Sequence, residues 1–163
     1  PYGIRGIRDY ETIVIEKWGE KKEEVFQPVS IEIGEFKEYD LKNEKTRLIV
    51  ELITSQEEIA LKEYEKSPLN TYTKWFDYDK IKGKLLLRTR REGDYLEINE
   101  NGGRKKLKNF FIDNKIPQME RDKILLLADG SHVLWIIGYR ISEGYKITEN
   151  SKRILKVQLD GGK

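Results

Sequence analysis

The sequence predicts an α+β fold dominated by strands, and three observations carry that reading. Short runs rich in Val, Ile, Leu, Tyr and Thr recur along the 163 residues, several of them alternating apolar with polar, the period of a half-buried strand. One stretch, residues 104–113, shows clear helical periodicity. Asp129-Gly130, a dipeptide favoured in tight hairpins, lies between two apolar runs.

Taken in order, residues 4–7 and 12–16 carry β-branched side chains and read as strands, with Trp18-Gly19-Glu20 interrupting like a turn. Val29, Ile31 and Ile33 alternate with polar residues until Gly34. Residues 48–53 (LIVELI) are the most apolar run of the first half and predict a central strand. The charge-rich segments 20–24 and 35–44 read as solvated turns, and 55–66 as a short surface helix or a loop. Ser67-Pro68 marks a connection, because the residue before proline is pushed out of the helical region. We therefore divide the chain into a β-rich lead-in, residues 1–74, and a second part, residues 75–163; one continuous domain is the other arrangement.

The second part begins with Trp75 and Phe76. Residues 85–91 predict a strand ending at a Gly93-Asp94 turn, and since side chains in a strand alternate, Arg88 and Arg90 fall on one face. Residues 95–98 return as a strand and lead to a loop with Asn101-Gly102-Gly103. In the helix expected over 104–113, Leu107, Phe110 and Phe111 form an apolar stripe, with Lys105, Lys106 and Lys108 toward the other side; Pro117 is expected to end it near Ile116. A hairpin of 124–128 and 133–137 turns on Asp129-Gly130 as type I′, and residues 153–159 form the last strand.

Composition narrows the function. Hydrophobic and charged residues each make up 37% and cysteine is absent, which excludes disulfides, thiolate zinc sites and a cysteine nucleophile. With no apolar run of about 18 residues, no membrane helix is expected. No secretory leader and no N-x-S/T sequon are found either, so a cytoplasmic protein is expected; Pro1 at the start fits a piece of a longer chain. Residues 1–83 hold 14 Lys/Arg against 18 Asp/Glu (−4), residues 84–163 hold 17 against 11 (+6). Such asymmetry points toward a polyanionic partner for the second half.

The cations themselves sharpen that. Arg104, Lys105 and Lys106 in a first helical turn oppose the dipole there, at a few tenths of a kcal/mol each, roughly; a bound phosphate would reverse the sign. Side chains that simply bend into water are the other account. Arg88, Arg90 and Arg91 add planar forks suited to phosphate oxygens, unless they only guard a sheet edge. His132 beside the hairpin turn reads as an exposed turn residue, and Phe110, Phe111 and Trp135 as core. Asp94, Glu97, Asp113 and Asp122 have no spacing diagnostic of a metal site, and no phosphate-binding or nucleophile-elbow motif is found. No catalytic set emerges.

Linked motifs then point to a family. Leu87-Arg88-Thr89-Arg90-Arg91-Glu92-Gly93-Asp94, the run from Gly103 to Asp113, Lys115-Ile116-Pro117, Glu120-Arg121-Asp122, Gly138-Tyr139-Arg140-Ile141-Ser142-Glu143 and Lys146-Ile147-Thr148 closely resemble, in order and spacing, the C-terminal domain of bacterial tRNA(Ile)-lysidine synthetases. The resemblance covers about residues 75–159, with 1–74 matching more loosely. Glu92 and Leu125 stand where the family commonly has proline, and Gly144 where it often has arginine.

The resemblance implies a three-layer arrangement with a β-sandwich core, similar to a domain of the phenylalanyl-tRNA synthetase β subunit. It implies binding of tRNA(Ile) on the acceptor-stem side, with Arg88, Arg90, Arg91, Arg104, Lys105, Lys106, Lys108, Lys115, Arg121 and Arg140 as the nucleic-acid-binding set. The family's chemistry, ATP-dependent attachment of lysine to C2 of the wobble cytidine, belongs to an N-terminal catalytic domain with an S-G-G-x-D-S sequence. That sequence is absent here, so no cofactor is expected on this chain and ATP is left to the catalytic domain, a further expected partner. Two other classes stay open: a protein-interaction or homodimer module pairing acidic with basic halves, and a small hydrolase built on the acids above.

Overall fold

The computed structural model describes residues 4–9, 12–17, 25–41, 46–54 and 72–160, the first two segments by their backbone alone. The turn expected at 18–20, the charged segment 20–24, the stretch 55–66 and the Ser67-Pro68 connection lie outside them.

Thirteen strands are described, in three sheets. Strands β1 (Ile4–Asp9) and β2 (Thr12–Lys17) pair antiparallel as a two-stranded ribbon. Strands β4 (Phe36–Leu41), β5 (Thr46–Thr54), β13 (Arg153–Asp160) and β6 (Thr73–Asp77) form a four-stranded antiparallel sheet in the order β4-β5-β13-β6. The seven-stranded sheet runs β3 (Val29–Ile31), β7 (Leu85–Arg88), β10 (Leu126–Asp129), β11 (His132–Ile136), β8 (Tyr95–Glu97), β9 (Arg104–Lys106), with β12 (Arg140–Ile141) also on β11. Both large sheets draw strands from before and after residue 75.

Burial explains why they stack. From the four-stranded sheet, Leu48, Val50, Phe76, Leu155 and Val157 are buried against Ile31, Leu85, Leu87, Leu127, Leu134 and Trp135 of the larger one. The opposite face of the larger sheet presents Leu126, Val133, Ile136 and Leu96 to Leu107, Phe110, Phe111 and Ile116. Those belong to helix α1 (Leu107–Asp113) and its exit, before the one-turn helix α2 (Gln118–Arg121). The result is three layers: sheet, sheet, helix. A register shift between Leu127 and Ala128 leaves Leu134 with no partner of its own on β10. This bulge lets Leu134 and Trp135 face one core while Val133 and Ile136 face the other.

Several expectations change. Residues 36–41 form an edge strand, with Lys37, Tyr39 and Leu41 more covered than Phe36, Glu38 and Asp40; that weak alternation is hidden by the charge of the segment. The hairpin turns on Gly130-Ser131, since Asp129 pairs with His132. Gly130 has φ 60 and Ser131 is not in the left-handed region, so the turn is type II′, which needs glycine only at its first central position. Helix α1 starts three residues later than expected, because Lys106 is extended (φ −61, ψ 136) and residues 104–106 pair with β8. Arg104 and Lys105 are thereby kept out of the helix N-terminus, where Lys106 takes the N-cap position.

The helix also ends before Pro117. Lys115 N–H donates to the Ile112 carbonyl (3.0 Å) and Ile116 N–H to that of Phe111 (2.9 Å), the two bonds of a Schellman cap. Lys115 occupies the left-handed position (φ 52), and Ile116 packs with Phe111 in the helix-side core.

Candidate nucleic-acid interface

Arg88 is the last residue of β7 and does not face solvent. It is 1% exposed and Asp94 is 3% exposed. Its Nη1 and Nη2 donate to Asp94 Oδ2 and Oδ1, each at 2.8 Å, and further bonds reach the Gly130 carbonyl (2.7 Å) and the Thr89 carbonyl (3.0 Å). A planar fork on a carboxylate is the geometry that makes such pairs strong. Removing one partner from a pair this buried costs about 3–5 kcal/mol. Arg88 is therefore withdrawn from the phosphate-facing set; both terminal nitrogens of its fork are engaged from within, and its buried Nε has no hydrogen-bond partner among the described residues. The strand ends here, so Arg88 and Arg90 do not share a strand face.

Asp94 ties two further segments to this pair. Its Oδ2 also accepts from the Arg91 amide (2.7 Å), its own N–H closes the turn onto the Arg91 carbonyl (3.3 Å), and Gly93 supplies the positive φ of 88. Its carbonyl accepts from the Leu107 amide at 2.8 Å. The turn carrying Arg91 and the strand-to-helix junction carrying Lys106 and Lys108 thus meet at one residue. The Leu107 N–H, first of the helix, is spent on that contact, so a phosphate on the helix's opening amide is not what these lysines serve. Arg91, Lys106, Lys108 and Lys115 are exposed and pair with no carboxylate among the described residues.

Arg104 is exposed and lies over the Tyr95 ring, 4.7 Å from its centroid. The two are diagonal neighbours across β8 and β9, within reach of long side chains. Tyr95 stacks in turn on His132 (4.7 Å), which leans on Tyr145 (4.5 Å). His132 is half-buried, not an exposed turn residue, and its Nε2 lies 3.0 Å from Ser142 Oγ. Burial lowers its pKa, and Arg104 adds to the drop against the opposing pull of Glu97 and Asp129. Burial first, then Asp129, holds the Tyr145 phenol far above its ordinary range, so its hydroxyl stays protonated beside Asp129 Oδ2 (3.4 Å).

The remaining predicted cations are engaged internally. Arg90 Nε donates to Asp122 (2.6 Å), Lys105 pairs with Asp113, Arg121 Nε donates to the Ile116 carbonyl (2.8 Å), and Arg140 pairs with Glu143 (3.1 Å). These partners also dissolve the acidic cluster considered for hydrolysis. Asp94, Asp113 and Asp122 each serve a different cation, and no metal-holding group of three is found among the described residues. A Cβ at Gly144 would fall 2.2 Å from Glu97 Oε2 and 3.3 Å from His132, so a side chain there requires the Glu97 carboxylate to swing away. Sequence reasoning missed Asp94 as a junction and Tyr95 as a platform. Gly93-Asp94 signalled the turn, but nothing along the chain signals what the turn grips.

Comparison with known proteins decides what carries this surface. Residues 85–159 match the model of the TilS substrate C-terminal domain. They belong to that family. The matched span contains every cation of the predicted set and all of the Asp94 junction. Over 166 aligned residues the chain is 37% identical to a tRNA(Ile)-lysidine synthase of Caldanaerobacter subterraneus subsp. tengcongensis, covering 97% of this chain and 32% of that one. Against the tRNA(Ile)-lysidine synthase of Clostridium tetani it is 45% identical over 94 residues, 58% of this chain and 20% of the other. The chain thus spans about a third or less of these relatives. A solved structure, a crystal structure of a TilS C-terminal domain, superposes with a TM-score of 0.61 at 27% identity, covering 82% of this chain and 97% of that one. The TilS-type domain and its three layers are what the sequence predicted; among the described residues no helix is long and apolar enough to cross a membrane.

Proposed function

We propose that this chain is the tRNA-binding C-terminal portion of a tRNA(Ile)-lysidine synthetase, docking on the acceptor-stem side of tRNA(Ile) while an N-terminal catalytic domain acts on the anticodon. The observation that carries it is the group of exposed cations without carboxylate partners among the described residues, Arg91, Lys106 and Lys108, joined through Asp94 within a TilS-type domain. An A-form stem hides its major-groove edges and is held through phosphates, 2′-hydroxyls and shape. Cations on a strand edge and a tight turn suit that task better than base reading. Arg104 on Tyr95 and Lys115 at the helix exit extend the surface; Arg90, Lys105, Arg121 and Arg140 support it through their internal bonds. ATP and lysine belong to the catalytic domain on this reading, since the chain has no S-G-G-x-D-S sequence.

The test is binding of the chain to a tRNA(Ile) transcript across a salt series, with duplex DNA of equal length as control. Affinity should favour tRNA and fall steeply with salt. Arg91→Ala, Lys106→Ala and Lys108→Ala should each weaken binding and reduce the salt slope by about one. Unchanged affinity in all three overturns the proposal.

A further inference from the structure

We propose that Asp94 is the positioning residue of this surface, fixing Arg91 and the Lys106/Lys108 segment relative to each other so that both meet one run of phosphates. The inference rests on the RNA-binding reading above. Four hydrogen bonds converge on Asp94: two from Arg88 at 2.8 Å, one from the Arg91 amide at 2.7 Å, and one from the Leu107 amide to its carbonyl at 2.8 Å. Arg88 is itself fixed, since β7 pairs it with Leu126 and its second nitrogen reaches the Gly130 carbonyl at 2.7 Å. Rigidity passes from the centre of the large sheet through Arg88 to Asp94, and from there to both cationic segments. Neither segment is held to the other by its own secondary structure: Arg91 lies in a turn, Lys106 closes a three-residue edge strand, and Lys108 stands in the first turn of α1.

The chemistry calls for a carboxylate. Asp94 Oδ2 serves an arginine N–H and a backbone N–H together while Oδ1 serves the second arginine nitrogen. Asparagine has the same size but only one acceptor oxygen, and its NH₂ would face a donor. Asp94→Asn therefore releases one arm of the junction without opening a cavity.

The experiment measures affinity for a tRNA(Ile) transcript over a salt series for D94N, R91A and the D94N/R91A pair. R91A should cost about tenfold in the natural background and less than twofold in D94N, while D94N alone should cost about tenfold and lower the salt slope by about one. Melting and near-ultraviolet circular dichroism confirm that each variant is folded. Should D94N unfold, the double replacement Arg88→Met with Asp94→Leu fills the same buried space with apolar groups, a change such pairs tolerate, and it should show the same insensitivity to R91A. Unchanged binding by the folded Asp94 variants, or an R91A effect of equal size in both backgrounds, overturns the inference alone, because a residue that only stabilises the fold would leave the effects additive and the slope intact. Silence of R91A, K106A and K108A in the natural background overturns the RNA-binding reading and this inference together.

Discussion

His132 shows how a side chain's neighbours set its chemistry. It is held between Tyr95 and Tyr145 with Ser142 at its Nε2, and burial lowers its pKa from the ordinary value of 6.5. The unfolded chain takes up the proton first as pH falls, so His132 contributes stability that is complete above about 6.5 and is lost between that value and the lowered folded one. Denaturant midpoints measured from pH 8 to pH 5 should therefore fall more steeply for the natural chain than for His132→Gln, which has nothing to titrate. Equal slopes would mean that His132 is not held neutral by its surroundings. The sequence showed a histidine beside a turn; its stacking partners come from 37 residues before and 13 after, and no local pattern announces them. Arg88 teaches the same lesson, since its type suggested phosphate while its partner Asp94, six residues on, decides otherwise.

At the scale of the element, what was legible was what depends on neighbours in sequence. The short apolar and alternating runs gave strands β3, β5, β7, β8, β10, β11 and β13, and the Leu107, Phe110, Phe111 stripe gave the helix and its buried face. What failed was decided by cross-strand pairing. Residues 104–106 have helical company but hydrogen-bond to β8, and 36–41 look solvated but pair with β5. The helix exit carries a testable consequence. Lys115 holds the left-handed conformation (φ 52) that the Schellman cap requires and that glycine reaches without a Cβ conflict. Lys115→Gly should raise stability, by roughly 0.5–1 kcal/mol, read as a higher denaturant midpoint at unchanged m-value. A lower midpoint would mean that the lysine side chain contributes more to the cap than its backbone costs. If Lys115 also meets phosphate, the same variant should bind tRNA more weakly while being more stable, separating the residue's two roles.

For the whole molecule, the connectivity bears on how it can be divided. The sequence marks a change of character near residue 75, and the family match begins at residue 85. Yet β13, the last strand, pairs over eight residues with β5 and over five with β6. Ile31, Leu41, Leu48 and Val50, all before that point, are buried in the core between the sheets. Each fully buried side chain of this kind is worth about 1.5–3 kcal/mol, and a domain's net stability is about 5–15 kcal/mol. Loss of four such side chains, together with the main-chain partner of β13, is comparable with the entire margin. A chain of residues 72–163 alone should therefore lose cooperative unfolding and bind a hydrophobic dye, whereas residues 25–163 should melt in one transition. The helix-side core of Leu96, Leu107, Phe110, Phe111, Leu126, Val133 and Ile136 lies wholly within 72–163, so helical circular dichroism from α1 could persist after the sandwich has opened. A single sharp melt of residues 72–163 with no dye binding would show that the second part carries its own fold, and that the strands before residue 72 are an addition to it.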